Sequence, residues 1–261
     1  MSFIVIPLTA FIASLLTFFS GFGLGTILLP VFALYYDVPI AVGLTAIVHF
    51  SNNVFKMALV YKNIQWNIFF RFGIPSLLAA LIGALALKYL FTEPIILFSY
   101  YLELTELTHC VTLFNLIIGL LIILFSLFEL IPYLKNLSFN SSKLTLGGLL
   151  SGFFGGLSGH QGALRSAFLV KLNLPKENYI ATGTAIACVV DVARMIVYAF
   201  TFDFISIKNN TNIILIAIGA AAVGALLGNK LLKKTTLSFL KWFVTIFMII
   251  IALLMIFGII K

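Results

Sequence analysis

Long apolar blocks separated by short polar breaks run through the chain, and they constrain its fold more than any other feature. The blocks are residues 3–19, 24–36, 39–61, 66–90, 109–131, 144–157, 163–174, 177–200, 211–232 and 238–260. A helix needs about 20 apolar residues to cross a hydrocarbon core roughly 30 Å thick. Because 62% of the 261 residues are hydrophobic and 9% are charged, the sequence predicts an all-α polytopic membrane protein embedded in a lipid bilayer.

The basic excess of the chain does not indicate a nucleic-acid partner. Lys and Arg number 16 against 8 Asp and Glu, a formal charge of +8, and lysines of cytoplasmic loops explain such an excess in a membrane protein. The two cysteines lie in different apolar blocks, and no HExxH or comparable metal-ligand spacing occurs. We therefore predict no enzyme, no metal site and no cofactor.

Two pairs of apolar blocks are interrupted by glycine-rich breaks, at residues 20–23 and 158–162. The arms beside them contain 12 to 17 residues, so each reaches only about 18–26 Å at 1.5 Å per residue. Non-helical backbone at membrane depth must be buried in protein or line a wet cavity, and interrupted helices point to the binding sites of transporters. We predict that each pair forms a re-entrant hairpin.

The hairpin and the three long blocks after it occur twice, in the same order. Ser20-Gly21 matches Ser158-Gly159, Thr45-Ala46-Ile47 matches Thr184-Ala185-Ile186, and residues 53–57 match 191–195, all at offsets of 138 or 139. An odd number of full spans in each copy inverts the second copy. The sequence thus predicts two inverted repeats, each a broken hairpin plus three full transmembrane helices. They cover residues 1–131 and 143–261, joined by a cytoplasmic linker at 132–142, in one integral membrane domain.

The loop charges test this topology. If both hairpins return to their starting side, one face collects Lys62, Lys135, Lys143, Lys171, Lys176, Lys230, Lys233, Lys234 and Lys241. The opposite face collects Asp37, Glu93, Glu103, Glu106 and Asp203, with Lys88, Lys208 and Lys261. The positive-inside rule assigns the first face to the cytoplasm, which predicts that both termini lie outside.

Polar side chains at the second break form the clearest candidate site. Arg165 lies in the first turn of the half-helix after Gly162, where free N–H groups and the helix dipole already favour an anion. A guanidinium at that position is explained if an oxyanion is bound beside it. His160 and Gln161 occupy the break and can donate to the same oxygens, and His160 can change charge near neutral pH.

The long spans carry ionisable and amide side chains where a charge costs about 2.5–3.5 kcal/mol. Asp191 and Arg194 share one helix face, as do His49, Asn53 and Lys56. Two interpretations stay open: internal pairs that lock helices together, with Lys56 reaching the interface, or a polar wall along the pathway. His160 and Asp191 are the proton-coupling candidates. The predicted substrate-binding residues are Ser20, Gly21, Gly23, Asn52, Asn53, Gly159, His160, Gln161, Gly162, Arg165 and Arg194.

The two breaks resemble the paired signatures of the sulfite exporter TauE/SafE family, also called the 4-toluene sulfonate uptake permease (TSUP) family. The first family signature is matched by the segments SGFGLGTILLP and PIAVGLT of this chain, at residues 20–30 and 39–45. The second signature is matched by GGLSGHQGAL, LPKE and ATGT, at residues 155–164, 174–177 and 181–184. One departure is GALRSA at residues 162–167, where the family has Gly-Gly-Gly and a proline; the arginine fits a subfamily with its own substrate.

The resemblance implies a multi-pass permease of the bacterial inner membrane that moves sulfite, a sulfonate or a related organosulfur anion. Alternating access is the expected mechanism, with coupling to protons or to sodium. An anion channel, or a permease for another small organic or inorganic anion, is the alternative. A cationic substrate is disfavoured because Arg165, Arg194 and Lys56 outnumber Asp191 at the predicted site.

Overall fold

The computed structural model describes residues 1–20, 23–92, 95–103, 106–131, 139–200, 209–231 and 238–260. Its helices are α1 (Ser2–Ser20), α2 (Leu24–Ala33), α3 (Val38–Val60), α4 (Trp66–Thr92), α5 (Leu113–Leu130), α6 (Leu144–Ser158), α7 (Gly162–Leu169), α8 (Lys176–Ala199), α9 (Thr211–Leu231) and α10 (Ser238–Ile256). Within α4, Phe69–Gly73 is a π-helical turn. Short 3₁₀ turns lie at Tyr61–Asn63, Ser141–Lys143 and Val170–Leu172.

Several of these helices have the length and composition to cross a membrane, which confirms the predicted all-α polytopic fold. In the described ranges, 4 helices meet both requirements: Val38–Asn63, Trp66–Thr92, Lys176–Ala199 and Thr211–Lys230. Shorter apolar helices are Ser2–Thr17, Leu24–Ala33, Leu113–Phe128 and Thr245–Ile256. The order of a broken pair followed by three helices occurs twice, first as α1 to α5 and again as α6 to α10.

The apolar block at residues 109–131 is not helical throughout, in contrast to the sequence prediction. Strand β2 (Leu107–Thr112) pairs antiparallel with β1 (Ile96–Leu102), and Tyr100 lies opposite His109. Aromatic and β-branched residues favour strands in both segments. The Thr112 hydroxyl accepts a hydrogen bond from Asn115 N at 3.2 Å, and this N-cap starts α5 at Leu113.

The largest helix interfaces join one predicted half to the other. Helix α1 packs on α9, and its counterpart α6 packs on α4, the counterpart of α9. Helix α3 contacts its counterpart α8, and α5 contacts its counterpart α10. Along α6, Gly148, Gly152 and Gly156 face α4 so closely that a Cβ at Gly152 or Gly156 would overlap the carbonyl oxygen of Ser76 or Ala80. These glycines therefore permit close helix packing, as their spacing along the arm indicates.

The connections gather at two opposite ends of the molecule. Gln65 N donates to Thr182 Oγ1 at 2.9 Å, which holds the segment after α3 against the start of α8. The β-hairpin lies at the other end of α4, where Tyr100 Oη donates to Phe257 O at 2.8 Å. The first end carries Lys62, Lys143, Lys171 and Lys176, and the hairpin carries Glu103 and Glu106.

Candidate functional site

The breaks of the two hairpins meet inside the protein. Helix α6 ends at Ser158, and the next residue, Gly159, has a φ of 83°, the left-handed conformation that glycine adopts without strain. A Cβ added at Gly23 or Gly25 would lie 4.0 or 3.8 Å from Gly159 O, so the start of α2 stands against the end of α6. Gly21 and the side chain of Ser20 lie outside the described residues.

Helix α7 begins at this meeting point, and its first N–H groups have no acceptor within the helix. Arg165 N donates to Gln161 O at 3.0 Å, the first hydrogen bond of the helix. The N–H groups of Gly162, Ala163 and Leu164 precede it and have no acceptor within α7. Since the first turn of a helix also carries partial positive charge, the backbone here favours an anion.

Asp191 is the centre of a buried network that joins the two halves. Its Oδ2 lies 2.8 Å from His49 Nδ1 and accepts from Asn53 Nδ2 at 2.8 Å, both on α3. Its Oδ1 accepts from Arg194 Nε at 3.0 Å, from Arg194 Nη2 at 2.9 Å and from Gln161 Nε2 at 3.4 Å. These contacts use the acceptor capacity of one carboxylate. The structure thus contains the internal Asp191–Arg194 pair that the sequence left as one of two interpretations.

Gln161 links this network to Arg165. Its Nε2 faces Asp191, and its Oε1 accepts from Arg165 Nη1 at 3.2 Å. Only this orientation of the amide satisfies both a carboxylate and a guanidinium. A Cβ at Gly183 on α8 would lie 3.5 Å from Arg165 Nε, so the Arg165 guanidinium packs against α8 at a position that has no side chain. Among the described residues, the bond to Gln161 is the one hydrogen bond of the guanidinium, which has five N–H donors.

Several buried polar atoms around the breaks have no hydrogen-bond partner within the described ranges. More than nine-tenths of buried polar groups in folded proteins are hydrogen-bonded, so each exception needs an explanation. Water or a ligand commonly supplies the missing partner. The atoms are Thr45 Oγ1 and Asn52 Nδ2 on α3, Ser126 Oγ on α5, His160 Nε2 in the break and Ser166 Oγ on α7.

His160 is held rigidly, with one nitrogen directed away from its supports. Its Nδ1 lies 2.9 Å from Ser158 Oγ, and its ring stacks on Phe125 at a centroid distance of 5.3 Å. The residue is 1% exposed, and Arg194 lies close by, since a Cβ at the neighbouring Gly159 would stand 2.5 Å from Arg194 Nη1. The unpartnered Nε2 can therefore contact a ligand bound near Arg194 without a change of rotamer.

Asn52 and Lys56 form a second polar group, where α3 faces α1. Asn52 Oδ1 accepts from Ser14 Oγ at 2.7 Å, and Lys56 Nζ donates to Thr17 Oγ1 at 3.5 Å. Asn52 is 2% exposed and Lys56 is 6% exposed. Lys56 is therefore buried against α1.

Some residues of the site were not in the predicted set. His49 contacts Asp191 across 142 positions of the chain, and only its four-residue spacing to Asn53 could have indicated a shared role. Tyr198 Oη donates to Gly156 O at 2.6 Å and so fixes the end of α6, where helix carbonyls lack partners. No local pattern indicates that bond.

A cavity of about 370 Å³ lies near the β-hairpin, apart from the charged network. Its lining comes from β2, the start of α5, the end of α4 and residues such as Pro39 and Gly258, and none of the lining residues is charged. No group of three His, Cys, Asp or Glu side chains that could hold a metal occurs in the described part of the chain. None of the charged residues described above lines this cavity.

A comparison with protein-family models identifies the family of this chain. Residues 6–255 match the model of a protein family described as sulfite exporter TauE/SafE. No curated protein and no solved structure gave a significant match. The family match extends over both hairpins and over the long helices that carry the buried network. The chain belongs to the sulfite exporter TauE/SafE family, and it is a multi-pass membrane protein of the transporter class.

Proposed function

We propose that this protein is a permease that moves a small sulfur-containing anion, sulfite or an organosulfonate, by alternating access. The observation that carries the proposal is the excess of positive charge at the breaks. Arg165 and Arg194 lie there, and Asp191, which pairs with Arg194, is the sole carboxylate among the buried residues that the structure describes. Arg165 is half-buried and contacts the neutral Gln161 amide. A partly buried charge without a counter-charge is costly, so a bound anion stabilises this arrangement.

The proposed site lies between the hairpins. Arg165 supplies a planar fork that matches two oxygens of a sulfonate or sulfite group, and Gln161 keeps the fork in place. The N–H groups at the start of α7 and the unpartnered His160 Nε2 supply further donors. Other proposed contacts come from Gly159, Gly162, Gly23, Gly21 and Ser20 at the breaks, and from Asn52, Asn53 and Arg194 on the long helices.

Two halves related by a two-fold axis in the membrane plane would move about this site. Asn53 and Asp191 are equivalent positions, 138 apart, and they hydrogen-bond to each other at 2.8 Å. Two equivalent residues touch where a symmetry axis passes between them, so the contact supports halves at residues 1–131 and 143–261. Rocking of one half against the other would then expose the site to each side in turn.

Orientation follows from the charges at the two ends. The end with Lys62, Lys143, Lys171 and Lys176 is proposed to face the cytoplasm, together with the linker at 132–142, and the β-hairpin to face outward. Both termini then lie outside, in the inner membrane of a bacterium.

Proton coupling at His160, with Asp191 as the second candidate, is the remaining part of the proposal. A proton on His160 would be repelled by Arg194, whose guanidinium lies against the neighbouring Gly159, and an anion between them would remove that repulsion. Anion and proton are therefore expected to bind together. Coupling to sodium is the alternative, and a transport rate that follows a sodium gradient would support it.

Transport of radiolabelled sulfite in proteoliposomes tests the function. We expect saturable uptake, and Arg165→Ala should weaken apparent affinity by roughly 10-fold or more because a charged hydrogen bond contributes about 1.5–3 kcal/mol. Arg71→Ala, which removes an exposed arginine outside the site, is the matched control. Unchanged affinity in Arg165→Ala would refute the site, and unsaturable current that follows voltage would indicate a channel.

A further inference from the structure

We infer that His49 is the residue that binds the coupled proton, at Nε2, and that Asp191 holds His49 in the form that can accept it. The inference rests on the proposed function, and it assigns the role of Asp191, the second candidate for proton coupling. Its observations are the contacts of the His49 ring nitrogens and the position of the ring beside the breaks.

Asp191 fixes the tautomer of His49. The carboxylate accepts from Asn53 Nδ2, from Nε and Nη2 of Arg194 and from Gln161 Nε2, so it is ionised. Its Oδ2 lies 2.8 Å from His49 Nδ1. At this distance Nδ1 must carry a proton and donate it, because two lone pairs would repel each other. A neutral imidazole has a proton on one nitrogen only, so His49 Nε2 carries a lone pair that can accept a proton.

The other polar neighbours of Nδ1 leave this assignment unchanged. Asn53 Nδ2 lies 3.1 Å from His49 Nδ1 but 2.8 Å from Asp191 Oδ2. Arg194 Nη2 lies 3.3 Å from His49 Nδ1 but 2.9 Å from Asp191 Oδ1. Both donors therefore have the carboxylate as their nearer acceptor, and Nδ1 acts as a third donor to it.

The Nε2 edge of the ring faces the meeting point of the breaks. A Cβ added at Gly25 would stand 3.5 Å from His49 Cδ2, the ring carbon bonded to Nε2, and 3.8 Å from Gly159 O. Among the residues described, each hydrogen bond of His49 is made at Nδ1. Thr45, one turn earlier on α3, faces the same glycine through its Cγ2 at 3.7 Å, and its buried hydroxyl has no partner in that part of the chain. Two polar side chains that can exchange a proton with a bound molecule thus border the proposed anion site.

The charges around His49 set the condition for proton uptake. Asp191 and Arg194 on α8 offset each other through contacts of 2.9 and 3.0 Å. Helix α2 has no charged residue, and α9 has Lys230 in its last turn. Further titratable side chains on the elements that meet here are Lys56 on α3, Arg165 on α7, His160 in the break, and Cys188 and Tyr198 on α8. A proton at Nε2 therefore adds a positive charge where the sole buried carboxylate among the described residues is already paired.

A bound anion makes this proton favourable. The imidazolium has Asp191 at Nδ1 and the breaks at Nε2, where the first N–H groups of α7 favour an anion. An opposite charge nearby favours the charged form of a titratable group, and by linkage the protonated site binds the anion more tightly. Anion and proton therefore move through the protein together, with one proton on His49 in each cycle.

Accumulation of radiolabelled thiosulfate in proteoliposomes of the full-length protein tests the inference. Thiosulfate stays ionised near neutral pH, and the membrane potential is held at zero. At a gradient of one pH unit the native protein should accumulate thiosulfate about 10-fold on the alkaline side, because one proton moves with each anion. His49→Gln should give a ratio of about 1. Counterflow of labelled against unlabelled thiosulfate, which needs no gradient, should remain measurable in this variant but slower. His109→Gln, beside the β-hairpin, is the matched control and should keep the native ratio.

Nitrogen NMR of the protein with isotopically labelled histidine tests the tautomer independently of transport. The chain has three histidines, so His109→Gln and His160→Gln identify the His49 signals by elimination. At mildly alkaline pH and without an anion, His49 should show a protonated Nδ1 and an unprotonated Nε2, and thiosulfate should add a proton at Nε2. Asp191→Asn should change this tautomer, whereas a merely structural role of Asp191 would leave it unchanged.

The outcomes separate this inference from the proposed function. If Nε2 carries the proton without an anion, or if His49→Gln keeps the native accumulation ratio, the inference is wrong while an anion permease stands. Counterflow without accumulation in the native protein leads to the same conclusion. If thiosulfate, methanesulfonate and sulfite all fail to show counterflow in the native protein, the proposed function itself fails. Should His49→Gln not fold, the NMR signals of His49 in the native chain decide.

Discussion

Replacement of Asp191 by asparagine tests whether charge holds the two halves together. Asparagine keeps the shape and one acceptor oxygen, but it removes the negative charge that faces Arg194 and His49. Asp191 is 0% exposed and Arg194 is 1% exposed, so water cannot take over the interaction. Removal of one partner from a buried ion pair costs about 3–5 kcal/mol because the other charge stays buried.

The expected effect is large enough to measure by thermal unfolding in detergent. A loss of 1 kcal/mol lowers the Tm of a chain of this size by about 2–4 °C, so Asp191→Asn should lower Tm by about 6–20 °C. Thiosulfate should raise the Tm of this variant more than that of the native protein, because a bound anion restores the missing charge.

A double-mutant cycle separates the ion pair from other effects of the substitution. Arg194→Gln in the Asp191→Asn background removes both charges, so the double variant should be more stable than the sum of the single effects predicts. Asp37→Asn, at an exposed acid, is the matched control. A decrease of less than about 2 °C for Asp191→Asn, together with additive effects in the cycle, would refute a coupled buried pair.

Three further substitutions test the packing around the breaks. Gly159→Ala introduces a Cβ at a φ of 83° and 2.5 Å from Arg194 Nη1. We expect this variant to lose about 1–2 kcal/mol of folding stability and to transport sulfite more slowly. Native stability together with a native transport rate would contradict this prediction. Gly152→Ala should separate α6 from α4 and cost about 1–3 kcal/mol in chemical unfolding, whereas Gly219→Ala, with nothing within 4 Å, should not destabilise. Tyr198→Phe removes the 2.6 Å bond to a carbonyl of α6 and should cost about 1–3 kcal/mol; an unchanged Tm would argue against a role in fixing the break.

The sequence predicted a helix where the structure has strand β2, and this difference has a simple physical origin. Residues 109–131 form one apolar run, and short apolar segments have no periodicity that separates a strand from a helix. Pairing with β1 and the N-cap at Thr112 decide the boundary. The strand depends on its partner β1, and the start of the helix depends on the polar side chain of Thr112; the apolar pattern contains neither signal.

The position of the candidate site along the chain could be predicted from the sequence, but the contacts that join its residues across the two halves could not. The breaks, Arg165 and the Asp191–Arg194 spacing are visible in the sequence, because a charge or a run of glycines at membrane depth stands out against lipid-compatible residues. That Asp191 also contacts His49 and Asn53 is not visible, since these residues lie 142 and 138 positions away.

The sequence by itself determined that the chain lies in a lipid bilayer, that its fold is all-α, and to which family it belongs. Apolar blocks of membrane-spanning length require helices, the two similar sets of blocks indicate a duplication, and the paired breaks carry the family signatures. The tertiary structure alone decided which of the buried charges contact one another. The physical reason is that local spacing can bring Asp191 to Arg194 on one helix, whereas Gln161, His49 and Asn53 reach the same carboxylate only when helices from both halves pack around it.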